Sequence, residues 1–157
     1  MDGVLTDGSL IITNDNQWLR RMNVRDGYAL QLAVKSGFNV IVISGSDSPQ
    51  VTGRLKKLGM QHVFMNIKEK PDFLRKFAVK NELALSEMLY MGDDIPDYEC
   101  MRIVGIAACP ADAAFEIKKM AAYISPIRGG YGCVRDVLEK VMKLNNKWNL
   151  QSSIPST

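Results

Sequence analysis

Four short stretches of this chain carry side chains that could together hold a phosphate and a divalent cation. The opening Met1-Asp2-Gly3-Val4-Leu5-Thr6-Asp7-Gly8 supplies Asp2, and Ser44-Gly45 ends an apolar run. Lys70 stands where a helix is expected to begin, and Gly92-Asp93-Asp94-Ile95-Pro96-Asp97 follows Leu89-Tyr90-Met91. Mg²⁺ takes about six oxygen ligands and keeps several waters, so one or two carboxylates plus a phosphate oxygen suffice. The cation neutralises phosphate charge that an acidic cluster would otherwise repel. An ammonium and a hydroxyl hold phosphoryl oxygens as charge builds on them. One carboxylate can attack phosphorus to form an aspartyl phosphate, and a second can protonate the leaving alkoxide. Taken singly, each piece has a blander reading: Asp93-Asp94 as a solvated turn, Ser44 as a helix-approach serine, Lys70 as a surface lysine. Their order along the chain, at the ends of successive strands, argues for one site.

The elements that must position them follow from pattern. Residues 9–12 and 17–22 read as strands around the turn-rich Thr13-Asn14-Asp15-Asn16, a hairpin. Residues 26–36 have helical spacing and stop at Gly37, and residues 39–44 are a β-branched run expected of a strand buried on both faces. Helices are predicted over residues 49–58 (with Ser48 as N-cap), 71–82, 95–104, 111–120 and 134–144. Short strands are predicted at residues 62–65, 87–91, 106–108 and 123–124. This alternation predicts an α/β fold: a doubly wound parallel sheet with an N-terminal β-hairpin. Ligands bind at the carboxyl ends of such strands. The interval between Ser44 and Lys70 leaves no room for a large inserted cap domain.

At 157 residues the chain is the size of one domain, expected over residues 1–146 with a polar tail at 147–157. A net charge of +3 without a basic run, RNA-binding aromatic motif or zinc-ligand cluster argues against nucleic-acid binding. Apolar stretches fall far short of the ~20 residues of a membrane span. Cys100, Cys109 and Cys133 fall in no metal-spaced pattern, and with no signal segment the cytoplasm is the expected location. His62, the one histidine, sits at a strand entrance and is read as structural, and the pairs Lys56-Lys57 and Lys118-Lys119 as solvated helix faces. Trp18 could serve an interface in which hairpins pack on one another and protect their edges.

Asp-Gly-Val-Leu-Thr-Asp-Gly, the strand before Ser44, Lys70 and Gly-Asp-Asp-x-x-Asp resemble the four motifs of the haloacid dehalogenase superfamily. More narrowly, Asn23-Val24-Arg25-Asp26-Gly27-Tyr28 and Gly129-Gly130-Tyr131-Gly132-Cys133-Val134-Arg135 resemble segments of the 3-deoxy-D-manno-octulosonate 8-phosphate phosphatases. The similarity runs from Asp2 to about Leu144. It implies a cap-less, homotetrameric, Mg²⁺-dependent hydrolase of lipopolysaccharide precursor synthesis, acting on a small phosphosugar, in which a neighbouring subunit helps close the site. It implies that Asp2 is general acid/base and offers Mg²⁺ its backbone carbonyl, and that Asp93 is a carboxylate ligand of the metal. Asp94 and Asp97 become supporting acids, with Asp94 also counted at the metal. Ser44 and Lys70 become the phosphate-holding pair, and Asn23, Val24, Arg25, Asp26, Gly27, Gly45 and Arg54 substrate contacts.

Three departures accompany the resemblance. The family pattern is Asp-x-Asp-Gly-Val, which sets the nucleophile directly before Met1; the native chain is therefore expected to extend upstream, the rival being an inactive homologue. Ser46 and Gln31 stand where arginines tend to occur. Neither replaces a bidentate cation, so a related nonulosonate 9-phosphate stays open as substrate. Outside the enzyme class, two readings compete. A receiver-type signalling module also gathers acids and a lysine at strand ends, but its acidic motif does not come this late, nor does a hairpin follow its opening. A non-catalytic binding protein that keeps the pocket is the other.

Overall fold

The computed structural model describes residues 1–148. A short antiparallel hairpin pairs β1 (Ile11–Ile12) with β2 (Trp18–Leu19), and a lone bridge between Thr6 and Met22 closes its base. Helix α1 (Val24–Lys35) starts where Asn23 Oδ1 accepts from the Arg25 amide at 2.8 Å, an N-cap of the ordinary kind. Then come β3 (Ile41–Ile43), α2 (Pro49–Lys57, capped by Ser48), β4 (His62–Phe64), α3 (Lys70–Lys80), β5 (Leu89–Met91), α4 (Tyr98–Ile103), β6 (Ile106–Cys109), α5 (Phe115–Met120), β7 (Tyr123–Ile124) and α6 (Cys133–Leu144).

The alternating α/β order is as expected, and no cap domain interrupts it. The parallel strands fall into two ladders, β3–β4 and β5–β6–β7, rather than one. A shared core joins them: Val4, Leu5, Val42, Leu55 and Cys133 form one buried cluster, with Met1, Met65 and Met91 packed on it. Ile43 and Leu74 form a second cluster with Cys100, and Tyr90 of β5 packs on it. The opening residues thus lie between the two ladders. Helices α1 and α6 pack together, and Leu32, Ala33 and Met142 close that interface.

Several boundaries differ from the sequence expectation. The predicted helix over residues 111–120 begins only at Phe115, because the preceding amides are used elsewhere: Ala111 donates to the Ile127 carbonyl and Ala114 to that of Asp93. The predicted helix over residues 95–104 divides into a 3₁₀ turn at Ile95–Asp97 and α4. Pro96 has no amide to give, and Asp97 turns its carboxylate back toward β5. Helix α3 starts one residue early, at Lys70, and stops at Lys80 before Glu82, whose φ is 54°. Lys147 and Trp148, expected in the tail, pack back on the fold: Lys147 Nζ donates to the Ser36 carbonyl and Trp148 meets Tyr28 edge-on. The rest of that tail lies outside the described residues.

Candidate active site

The opening folds into a tight turn because the Met1 carbonyl accepts from the amides of Val4, Leu5 and Thr6 at 3.3, 2.9 and 3.4 Å. Gly3 takes a φ of 73°, which a side chain would resist, and a Cβ there would overlap the Asp93 carboxylate. Opening turn and β5 loop therefore touch at Gly3. From the other side Gly129 and Gly130 press on the same turn: a Cβ on Gly129 would overlap the Gly3 carbonyl, and one on Gly130 would strike the Thr6–Asp7 peptide. The Gly130 amide donates to the Val4 carbonyl at 2.9 Å.

Two networks flank this meeting point. In the first, three side chains from three segments donate to Asp2. Thr6 Oγ1 reaches Oδ1 at 3.2 Å, Arg20 Nε reaches Oδ1 at 2.9 Å with Nη2 at 3.5 Å from Oδ2, and Ser46 Oγ reaches Oδ2 at 2.8 Å. Ser46 shares a 3.0 Å hydrogen bond with Ser44 Oγ, and its amide donates to that same oxygen at 3.2 Å. Ser44 is thereby fixed at the end of β3, its amide donating to the Phe64 carbonyl of β4.

The second network centres on Asp97. Lys70 Nζ donates to Asp97 Oδ1 at 2.7 Å, the Tyr90 hydroxyl donates to the same oxygen at 2.9 Å, and the Asp93 amide donates to Oδ2 at 3.2 Å. Both members of the Lys70–Asp97 pair are nearly out of solvent, at 12% and 7% side-chain exposure. Burial pushes the Tyr90 hydroxyl far up, and the Asp97 charge adds to the effect. Asp93 is pushed up to about 6, first by burial and then by the charges of Asp97 and Asp94, with Lys70 pulling the other way. The Met1 backbone nitrogen is buried within range of the charges of Asp97, Lys70, Asp93 and Asp2. Ser44, Lys70, Asp93, Asp97 and Asp2 are thus brought to one edge, at the carboxyl ends of β3 and β5.

This edge suits a hard cation. Among the described residues no three His, Cys, Asp or Glu side chains gather as metal ligands. One carboxylate, Asp93, lies against the backbone next to Asp2, and its neighbours' negative charge is offset by a single lysine. A sparse oxygen donor set of this kind fits Mg²⁺, which keeps waters, and not the Cys/His cage of a structural zinc.

The remaining candidates lie around the rim. Gly45 follows Ser44, its carbonyl accepting from Lys68 Nζ at 3.2 Å. Asn23 is spent on capping α1, while Val24 and Arg25 are exposed at its start. Val24 and Arg54 line a cavity of about 380 Å³ between the hairpin and α2, together with Trp18, Arg20, Ser48 and Val51. Arg54 Nη2 is buried there with no hydrogen-bond partner, and a Cβ on Gly27 would lie 3.3 Å from it, so Gly27 makes room for the guanidinium. Asp94 is exposed beside the site. Asp26 is not brought to the site by its side chain: it is 1% exposed, and its Oδ1 accepts from the Arg135 amide at 2.7 Å, at the start of α6. Gln31 is likewise buried in α1. Arg20 and Tyr90 went unflagged in the sequence, since a hairpin arginine and a strand tyrosine carry no spacing signal.

A parallel α/β scaffold that sets a serine, a lysine and a pair of acids at neighbouring strand ends around an aspartate in the opening turn defines a phosphohydrolase of the haloacid dehalogenase type. No family model matches the chain. It is 34% identical over 151 residues to the 3-deoxy-D-manno-octulosonate 8-phosphate phosphatase KdsC of Escherichia coli strain K12, covering 94% of this chain and 78% of that protein. The crystal structure of the phosphatase of that name from Yersinia pestis superposes with a TM-score of 0.90 at 29% identity, over 93% of this chain and 79% of the other. That of the Moraxella catarrhalis phosphatase, in complex with magnesium ion, phosphate ion and KDO, gives 0.89 at 32% identity, over 93% and 84%. The chain belongs to the 3-deoxy-D-manno-octulosonate 8-phosphate phosphatase family.

Proposed function

We propose that this protein removes phosphate from a phosphorylated sugar acid, with 3-deoxy-D-manno-octulosonate 8-phosphate as the leading substrate. The observation that carries this reading is the meeting of Asp2, Ser44, Lys70 and Asp93 around one turn, with the Asp93 carboxylate laid against Gly3. In this reading Asp93 and the Asp2 backbone carbonyl would hold Mg²⁺, with Asp94 and Asp97 in support. When bound, the cation neutralises charge on the phosphoryl oxygens. Lys70 and Ser44 bind those oxygens, and the Asp97–Tyr90 network holds the ammonium in place. Asp2 passes a proton to the leaving sugar oxygen. In the family pattern Asp-x-Asp-Gly-Val the first aspartate is the nucleophile, and Asp2 matches the second.

Phosphate release from a panel of phosphosugars, with and without Mg²⁺, tests the proposal. A chain carrying the upstream aspartate should hydrolyse the octulosonate ester and lose activity to a chelator. Absence of turnover on every ester would defeat it. A nonulosonate 9-phosphate is the second substrate reading. It stays open because Ser46, where an arginine tends to occur, here binds Asp2 and brings no cation to the carboxylate that both sugar acids carry.

The exposed apolar hairpin supports a homotetramer: Ile11, Ile12 and Trp18 are 62%, 64% and 57% exposed. Sedimentation of the wild type and of Trp18→Ser would test it. Among the described residues no helix is long and apolar enough to cross a membrane, and a cytoplasmic location belongs to the same proposal.

A further inference from the structure

Arg20 reaches the site from the hairpin, outside the parallel scaffold that carries Ser44, Lys70 and Asp93. It comes from the residue after β2 of the hairpin, yet its side chain is only 3% exposed and its Nε–H and Nη2 both face the Asp2 carboxylate, at 2.9 Å to Oδ1 and 3.5 Å to Oδ2. Nη1 is tethered at 3.4 Å to the Trp18 carbonyl in the same hairpin. The fork is therefore held at both ends, by its own strand and by Asp2. Its neighbour Arg21 differs completely: it is 61% exposed and pairs with Asp7 at the surface. Asp2 itself remains 35% exposed, so one face of the carboxyl is open while Thr6, Arg20 and Ser46 occupy the other.

We propose that Arg20 is a positioning residue for the phosphatase reaction, aiming the Asp2 carboxyl at the leaving oxygen. This rests on the reading of Asp2 as general acid. In the first half-reaction the bond from phosphorus to the nucleophile forms, the phosphorus–ester oxygen bond breaks, and the departing oxygen takes the Asp2 proton. In the second, water attacks phosphorus and returns a proton to Asp2 as the nucleophile leaves, so that ester and water become alcohol and phosphate. Negative charge grows on Asp2 during the first step. A guanidinium fork and two hydroxyls already pointed at that carboxyl keep its orientation fixed through the transfer. The hairpin thereby becomes part of the catalytic apparatus.

The test uses leaving groups of different need. A sugar alkoxide requires a proton as it departs, whereas nitrophenolate leaves without one. In an active chain carrying the nucleophilic aspartate, Arg20→Ala should lower kcat/KM on the phosphosugar, which reports the steps up to alcohol release, by about 10–10², a share of the 10²–10⁴ that general acid catalysis supplies. On p-nitrophenyl phosphate it should change kcat/KM by less than about 3-fold, since the later hydrolysis step that both esters share does not enter kcat/KM. Arg20→Lys, which keeps the charge but loses the fork, should fall between wild type and alanine and serves alone should the alanine variant not fold. Equal losses on the two substrates, or none on either, would overturn the proposal. Asp2→Asn is the control: if it too loses kcat/KM on both substrates alike, the general-acid reading fails and Arg20 falls with it. If Asp2→Asn is selective and the Arg20 variants are not, Arg20 alone is wrong.

Discussion

The two networks that flank the opening turn are built differently. Around Asp97 the groups come from α3 and β5 and the loop after it, all within the parallel scaffold, and they satisfy one another out of solvent. Around Asp2 the donors come from the opening turn, the hairpin and the loop after β3, and the carboxyl is left partly open. The closed network fixes a cation that must stay charged and still. In the proposed mechanism the open one holds the group that exchanges a proton with substrate. A site for phosphoryl transfer needs both, and here each is assigned to a different part of the fold.

That contrast is broken most severely at Lys70. Lys70→Met should lower kcat by about 10²–10³, the usual cost of removing one preorganised charge-stabilising group. Its effect should be the same for sugar and nitrophenyl esters, unlike that of Arg20. Steady-state kinetics on both substrates measure this, and a substrate-dependent loss would erase the distinction between the networks. Gly129→Ala strikes the seam instead. Its Cβ would overlap the Gly3 carbonyl, so the turn must shift, costing about 1–3 kcal/mol in an unfolding titration as overpacking does.

Asp26→Asn probes the anchor of α6. Burial raises the Asp26 carboxyl to about 6, against backbone hydrogen bonds from Arg135 and Gly132 that lower it. A folded value above the unfolded one means that the native state binds the extra proton, so stability falls as pH rises from about 4 to about 6 and stays lower above that. Asparagine should remove that slope and add up to about 3 kcal/mol at pH 7, for a rise from 3.8 to about 6 at 1.36 kcal/mol per pKa unit. Chemical denaturation at pH 4.5 and 7.5 compares the two proteins. The smallest effect is expected of Tyr90→Phe, about 1 kcal/mol for one lost hydrogen bond, seen in the same denaturation assay.

Much of this arrangement was legible in the residues. Ser44, Lys70 and Asp93 declare themselves because each follows a recognisable apolar strand, and strand ends converge in a parallel sheet. Asp26 misled because its motif is a loop pattern, and pattern does not say which way a side chain turns; only the packing of α6 on α1 shows the carboxylate capping a distant helix. Arg20 was illegible for the opposite reason. It lies just past a two-residue strand, too short for alternation to show which face is buried, and the partner lies 18 residues away. The late start of α5 has a similar origin, since the Ala114 amide is committed to Asp93 rather than to its own helix.

The tongue at Gly129 and Gly130 bears on how the protein comes into being. Residues 3–7 are packed against by residues more than a hundred positions later, so closing that loop is a long-range, entropically costly step. A chain emerging from the ribosome can complete β3, α3 and β5 well before this contact exists. The acidic edge then waits, half assembled, until the last helix arrives, and catalytic competence is among the final properties that the newborn molecule acquires.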